Sequence, residues 1–197
     1  MILATHIILT GYGHWLPNDA RGSYSKVVFA PEIAEIGPIH YGRKPVQPSK
    51  QELREFHQQA GEVLAHPVHW FSPKERAAIR DAFARLCVEQ RFICHACAIM
   101  PNHIHILIRR NFLPPVKIHD LLKQCAIQAV KNCGQIPPDH PVFSAGTGTK
   151  RKDTPQEVQQ CVTYIQSHFQ KHRVPEEQYP FVTEYYVTKK SRKTYPS

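Results

Sequence analysis

Apolar and polar residues alternate most clearly between residues 98 and 109, which read Ala-Ile-Met-Pro-Asn-His-Ile-His-Ile-Leu-Ile-Arg. Side chains two residues apart on a β-strand point to the same face of a sheet. The alternation therefore predicts a strand on which His103 and His105 share one face, while the intervening isoleucines line the other and pack into a core. Proline and asparagine at 101–102 predict a turn before this strand. The apolar run 92–99 predicts the first strand of a hairpin.

Helix starts are predicted by three capping boxes, in which Ser or Thr is followed three residues later by Glu. They lie at Ser49, Ser72 and Thr154, and apolar residues at helical spacing follow each one. A fourth helix is predicted from Pro115 to the residue before Gly134, because proline suits a first helical turn and glycine ends helices. The other predicted elements are strands at Ala4–Thr10 and Val68–Phe71.

Strands separated by helices, with at least one hairpin, favour an α+β fold in which helices pack on an antiparallel sheet. A length of 197 residues suits one domain with a substantial core, and we expect a single domain over residues 1–197. Two parts resist assignment. One is an insertion at about 23–47, where Pro and Gly interrupt short apolar pieces, and the other is a basic C-terminal tail at about 183–197.

The histidine pair on the predicted strand is a candidate metal site, because two adjacent imidazoles can hold one divalent ion and leave positions for a substrate. A half-exposed strand in a chain with 13 histidines is the competing interpretation. Cys94 and Cys97 add a C-x-x-C motif that resembles half of a zinc module. Residues three apart on a strand point to opposite faces, so these two thiols are not expected to chelate together.

The formal charge of +9 and pI near 9.3 favour a polyanionic partner, nucleic acid before membrane. No apolar run reaches 18 residues and no signal-peptide pattern is seen, so we expect a cytoplasmic, nucleoid-associated protein without membrane contact. Several cations along a track are needed for phosphate contacts. The candidate DNA-binding cations are Arg109, Arg110, Lys150, Arg151 and Lys152, with a further cluster at Lys189, Lys190 and Lys193.

Residues 100–108, Met-Pro-Asn-His-Ile-His-Ile-Leu-Ile, resemble the signature of the HUH single-tyrosine transposases, in particular the REP-associated tyrosine transposases. Two more segments are similar to this family in the same order. Residues 6–22 resemble its first strand and turn, and residues 154–165 resemble its tyrosine helix, with 179–182 as the helix exit. The resemblance implies a ferredoxin-like sheet and a transposase that cleaves and rejoins single-stranded DNA through a 5′-phosphotyrosine.

The resemblance also implies roles for individual residues. Tyr164 matches the nucleophile, and His103 and His105 match the metal ligands for Mg²⁺ or Mn²⁺. His168, one helical turn after the tyrosine, matches a position that supplies a third ligand in some relatives. The family's usual Asn-Pro after the tyrosine is absent, since His168-Phe169 stands there, which leaves the third ligand open. Taken by itself, Tyr164 would be an ordinary tyrosine at the edge of a buried helix stripe.

Single-stranded DNA, including hairpin ends, is the implied partner, and both a monomer and a homodimer remain open. A domesticated DNA-binding protein of the same fold without cleavage is the alternative function. A structural zinc module that depends on Cys94 and Cys97 is a third hypothesis. Gly146-x-Gly148 could contact a phosphate backbone, but a lone G-x-G is a weak signal and an ordinary flexible loop is the favoured interpretation. Aromatic residues that could stack on bases are Tyr12, Trp15, Tyr185 and Tyr186.

Overall fold

The structure, a computed structural model, describes residues 2–23, 31–146 and 148–186. Its strands are β1 (Ala4–Thr10), β2 (Cys94–Ile99), β3 (His103–Arg109) and β4 (Gly148–Lys152), and its helices are α1 (Pro31–Ala34), α2 (Lys50–Val63), α3 (Pro73–Glu89), α4 (Pro115–Asn132) and α5 (Pro155–His172).

The four strands form one antiparallel sheet in the order β2-β3-β1-β4. Helix α3 lies in the connection from β1 to β2, β2 and β3 form a hairpin, and α4 connects β3 to β4. This is the β-α-β-β-α-β order of a ferredoxin-like fold, so the predicted α+β fold with helices on an antiparallel sheet is confirmed.

One predicted strand is wrong, and one strand of the sheet was not predicted. Residues 68–71 do not form a strand; His69 and Phe71 instead donate single backbone hydrogen bonds to Tyr12 and Pro101. Strand β4 was not predicted, because its sequence Gly-Thr-Lys-Arg-Lys has no apolar alternation. Gly148 is required for this pairing, since a Cβ there would lie 2.7 Å from the carbonyl oxygen of Ile8. Close backbone packing therefore accounts for this glycine without a phosphate.

All three predicted capping boxes are formed. In each, the Ser or Thr side chain accepts from the glutamate N–H and the glutamate side chain accepts from the cap N–H. The predicted capping role of Glu157 is therefore confirmed. At α5 this fixes the helix start at Pro155, and with it the direction in which each later side chain points.

The register separates the sheet into two faces. His105 lies opposite Ile8, and Ile106 lies opposite Ile7, so the histidines and the isoleucines of β3 point to opposite sides, as predicted. Helix α5 covers the histidine face, where its own side chains contact His105. Helices α3 and α4 pack against each other and cover the isoleucine face.

A β-bulge corrects the expectation for the two cysteines of β2. The register shifts between Cys94 and Ala96, so that Cys94 lies opposite Ile108 and Cys97 lies opposite Ile106. Both thiols therefore share the isoleucine face, although they are three residues apart. Burial raises the pKa of both thiols well above its ordinary value. The His-x-His pair points to the other face, so these residues cannot form one zinc module.

The segment after β1 is anchored at its start and in its middle. Gly11 N–H donates to the carbonyl of Asn102 at 2.9 Å, and a small apolar cluster of Leu16, Ile33, Phe56 and Ala60 holds its middle against α1 and α2. Residues 24–30 of the predicted insertion and residues 187–197 of the predicted tail, with its three lysines, lie outside the described residues. No helix in the described part of the chain has the length and apolarity needed to span a membrane.

Candidate metal and tyrosine site

Four imidazoles meet between the histidine face of β3 and helix α5. The ring centroids of His103 and His105 are 4.8 Å apart, and His168 lies 5.3 Å from the first and 4.3 Å from the second. His172, one turn further along α5, is 4.9 Å from His103. The structure thus brings together all three predicted metal ligands and adds a fourth histidine.

Tyr164 lies beside this cluster on the same helix. Its ring centroid is 4.6 Å from that of His168 and 5.5 Å from that of His105. The side chain is 46% exposed, as the predicted position at the edge of the buried stripe requires. The ammonium of Lys171 lies 4.8 Å from the ring centroid, a cation–π contact that holds the ring and adds positive charge beside it. A half-open tyrosine can meet a substrate while its helix stays docked.

Hydrogen bonds define the protonation of two of the imidazoles. Nδ1–H of His103 donates to Oδ1 of Asn102 at 2.7 Å, and Nδ1–H of His168 donates to the carbonyl oxygen of Tyr164 at 2.8 Å. With Nδ1 protonated, a neutral ring carries its lone pair on Nε2. Both rings are therefore in the tautomer that histidine ligands adopt when an acceptor behind them fixes the ring.

His6 of β1 extends this pattern to His105. Its Nε2 lies 2.9 Å from Nδ1 of His105, with ring centroids 4.9 Å apart. One tautomer of the pair leaves Nε2 of His105 free for a metal, namely the one in which Nδ1–H of His105 donates to Nε2 of His6. In that state each of the three predicted ligands has its Nδ1 held from behind and its Nε2 available.

Burial keeps these rings neutral at physiological pH. It lowers the pKa of His6 to about 3, with Lys152 and Lys150 as further causes, and that of His103 to about 3, with His172 and His168 adding to the effect. The pKa values of the other three imidazoles, His105, His168 and His172, are also lowered, mainly by burial. Neutral imidazole is the form that binds metals.

The tightest group of donor atoms is not quite the predicted one. Among the described residues, one nitrogen each from His103, His168 and His172 lies within 4.8 Å of the other two, and His105 is not part of this group. Sequence reasoning missed both His172 and His6. A signal for His172 existed, because histidines at 168 and 172 are four apart on one helix face. A lone histidine at position 6 gives no such signal before strand register is known.

The predicted DNA-binding cations separate by position. Lys150 and Lys152 pair with His6 and Ala4 across the β1–β4 ladder and so share the histidine face. Arg151, between them, points to the other face. Arg109 is the last residue of β3 and Arg110 follows it, so that Arg109 lies six residues and therefore about 20 Å from His103. Lys150, which lies level with His6, is thus the member of this set nearest the candidate site, whereas Lys152 lies across Ala4 from Arg109.

The four aromatic residues proposed for base stacking also differ in position. Trp15 contacts His103, with ring centroids 5.4 Å apart. Tyr12 instead contacts the rings of His66 and His140, and Tyr185 contacts His95. The fourth, Tyr186, bonds to Glu184 on the surface.

The chain is similar in structure to a REP-associated tyrosine transposase bound to a REP hairpin, with a TM-score of 0.43 and 15% sequence identity. The match covers 55% of this chain, and the chain spans 63% of the length of that protein. No family model and no curated protein matches the sequence.

Proposed function

We propose that this protein is a single-stranded DNA endonuclease and strand-transferase, in which Tyr164 attacks a phosphodiester beside a histidine-held divalent metal. The observation that carries the proposal is the convergence of His103, His105 and His168 next to a half-open tyrosine. Burial of several imidazoles is costly unless their nitrogens find partners, and here Asn102, the carbonyl of Tyr164 and His6 supply them on one side of each ring. The position of the cluster beside a nucleophilic side chain points to chemistry on a bound group.

The donor set fits a metal ion. Nδ1–H of His103 and His168 is held by an acceptor, which leaves both Nε2 lone pairs available, and a nitrogen of His172 lies within 4.8 Å of one from each of these rings. Imidazole nitrogen suits Mn²⁺ better than Mg²⁺, which prefers oxygen ligands. When bound, the ion would neutralise charge on the phosphate oxygens and orient the phosphate for in-line attack.

The chain's own residues supply the covalent step. Oη of Tyr164 forms a bond to phosphorus while the bond from phosphorus to the 3′ oxygen breaks. The products are a 5′-phosphotyrosine and a 3′-hydroxyl, and the phenol proton is lost as the hydroxyl gains one. A later attack by a 3′-hydroxyl on the phosphotyrosine rejoins DNA without ATP, because the bond energy is kept in the intermediate.

Charge and the arrangement of α5 support a DNA substrate. Lys150 and Lys152 lie on the histidine face of the edge strand β4, where they can bind backbone phosphates next to the scissile one. A single strand, including one at the foot of a hairpin, lets the phosphate enter the narrow space between sheet and helix. Helix α5 packs on the sheet of its own chain, with Tyr164 beside His105 and His168, which supports action of the tyrosine in cis.

The first test is covalent attachment. Purified protein is incubated with 5′- and 3′-labelled single-stranded oligonucleotide pools that include hairpins, with Mn²⁺ or with EDTA. We expect a Mn²⁺-dependent adduct on the 3′ cleavage fragment in a denaturing gel. Tyr164→Phe should lose the adduct completely and still bind the same oligonucleotides, because only the attacking oxygen is removed.

Two outcomes of this assay would contradict the proposal. An adduct that persists in Tyr164→Phe would assign the nucleophile elsewhere. Metal binding and oligonucleotide binding without cleavage of any strand in the pools would instead favour the DNA-binding protein that has lost its enzymatic step. Tyr185→Phe is a suitable control, because that ring contacts His95 and not the histidine cluster.

A further inference from the structure

Trp15 adopts a backbone conformation that a bulky residue rarely takes. Its φ of 47° lies in the left-handed region, which costs free energy for any residue with a Cβ and most for large side chains. Such strain persists where the surrounding structure enforces it, and it is concentrated at functional sites. The side chain is nevertheless 37% exposed, so burial of the ring does not account for the strain.

The strained backbone directs the indole to the edge of the candidate site. The ring meets His103 edge to face, with centroids 5.4 Å apart and an interplanar angle of 74°. His103 itself is only 4% exposed. An open aromatic surface therefore adjoins a buried ring that is one of the proposed metal ligands.

Arg21 completes an ordered platform on this indole. Its Cζ lies 4.6 Å from the centroid of the Trp15 ring. Nε and Nη2 of the guanidinium donate to the two carboxylate oxygens of Asp19 at 2.8 and 2.7 Å. Asp19 is fully buried and also accepts from the backbone N–H of Arg21 at 2.9 Å. A buried carboxylate that accepts two hydrogen bonds from the guanidinium thus fixes this cation against the ring, as in a preorganised recognition site.

We infer that Trp15 and Arg21 form a stacking subsite for a nucleobase of single-stranded DNA that neighbours the phosphate attacked by Tyr164. The inference rests on the proposed function and adds to it a residue that positions the substrate. Aromatic side chains backed by arginine bind unpaired bases through their π-faces, largely independently of sequence. Contact with His103 places the stacked base next to the phosphate that the histidine cluster would hold.

The chain contains two tryptophans, which makes the subsite directly observable. In Trp70→Phe, Trp15 is the sole indole; Trp70 is 59% exposed and contacts His14. This variant carries the additional change Tyr164→Phe to prevent cleavage. Its emission is titrated with a single-stranded oligonucleotide, and then with a series in which one base at a time is replaced by an abasic sugar.

We expect quenching of Trp15 on binding, and loss of that quenching when one base beside the cleavage position is abasic. Trp15→Ala should weaken binding of the intact oligonucleotide about 5- to 100-fold, and the abasic oligonucleotide much less. Trp15→Phe, which keeps an aromatic face, should recover most of the affinity. Trp70→Phe alone should bind and cleave as the unmodified chain does.

Equal weakening of intact and abasic oligonucleotides by Trp15→Ala would overturn the inference, since the ring would then only support His103. Quenching that is the same at every abasic position would do so as well. The adduct assay separates the two proposals. If the unmodified chain forms the adduct but Trp15 quenching does not depend on any base, only the stacking subsite is refuted. If quenching depends on one base but no adduct forms, the subsite stands and strand transfer is refuted.

Discussion

On one face of strand β3, Ile104, Ile106 and Ile108 are fully buried beneath α3 and α4. On the other face, His103 and His105 are each 4% exposed beneath α5. The two faces are equally buried and alternate residue by residue along the same strand. The isoleucine face needs only volume and shape, whereas each nitrogen on the histidine face needs a partner. The two faces are therefore equally buried but have different chemical requirements.

The partners on the histidine face indicate what that face is for. Asn102, the carbonyl of Tyr164 and His6 each engage an Nδ1 atom, and each leaves the outer nitrogen of its imidazole directed elsewhere. A merely structural histidine core would gain by pairing both nitrogens. Leaving one unused per ring suits binding better than folding.

The largest effect on cleavage is expected when the proposed metal ligands are removed. Combined His103→Ala and His105→Ala should reduce metal-dependent cleavage on the order of 1,000-fold, because a bound metal supplies several kcal/mol of transition-state stabilisation. Rates of cleavage of a labelled oligonucleotide across a Mn²⁺ titration measure this loss. His95→Ala is the matched control, since His95 lies on the neighbouring strand and bonds to Thr183. Full Mn²⁺-dependent cleavage by the double variant would refute the ligand assignment.

A substitution on the isoleucine face should have the opposite effect, lowering stability without changing metal binding. Ile106→Ala leaves a cavity in a fully buried position and should lower the free energy of unfolding by about 2–5 kcal/mol. The folded fraction should still bind Mn²⁺ with unchanged affinity. Urea denaturation followed by circular dichroism measures the first quantity. Ile39→Ala, at a position 42% exposed, should change stability by less than about 0.5 kcal/mol. Comparable losses in both variants would contradict the assignment of the core.

Substitution of His6 tests whether the acceptor bonded to Nδ1 of a metal ligand contributes to metal affinity. His6→Phe keeps an aromatic ring but removes the acceptor for Nδ1–H of His105, and should weaken Mn²⁺ binding about 10- to 100-fold. His6→Gln, which offers an amide oxygen, should recover part of that loss. The electron paramagnetic resonance signal of free Mn²⁺ gives the affinity. If His6→Phe binds Mn²⁺ as tightly as the unmodified chain, His105 is oriented by other contacts.

The smallest effect concerns pH. Burial lowers the pKa of His14 to about 4, with His57, Arg21 and His69 adding further lowering against a bond to the carbonyl of His69. The unfolded state takes up a proton below about 6.5 and the folded state does not, so stability is full above that value and falls as pH falls towards 4. Because of His14, we expect the free energy of unfolding to be about 1 kcal/mol lower at pH 5.5 than at pH 7.5.

His14→Gln is the matched variant for this measurement. Its amide can still donate to the carbonyl of His69, but it does not titrate in this range. Urea denaturation at both pH values should therefore show a shallower fall for the variant. An identical fall would mean that His14 is not kept neutral by folding.

Local rules accounted for much of the fold. Strand β1 follows from a short apolar run, and the starts of three helices follow from the boxes at Ser49, Ser72 and Thr154. Such features depend on residues at most four apart, so no knowledge of distant contacts is needed. Strand β4 escaped prediction because it is an edge strand rich in lysine and arginine, and only pairing with β1 makes it a strand.

The sequence by itself determined that His103 and His105 share a face, because strand periodicity is two, and that Tyr164 and His168 share another, because they are one helical turn apart. Only the tertiary structure decided that these two faces oppose each other. It also decided that His6 and Trp15 join them, and that a bulge turns Cys94 to the side of Cys97. Those outcomes depend on strand register and helix docking, which many distant contacts fix together and no short stretch of sequence encodes.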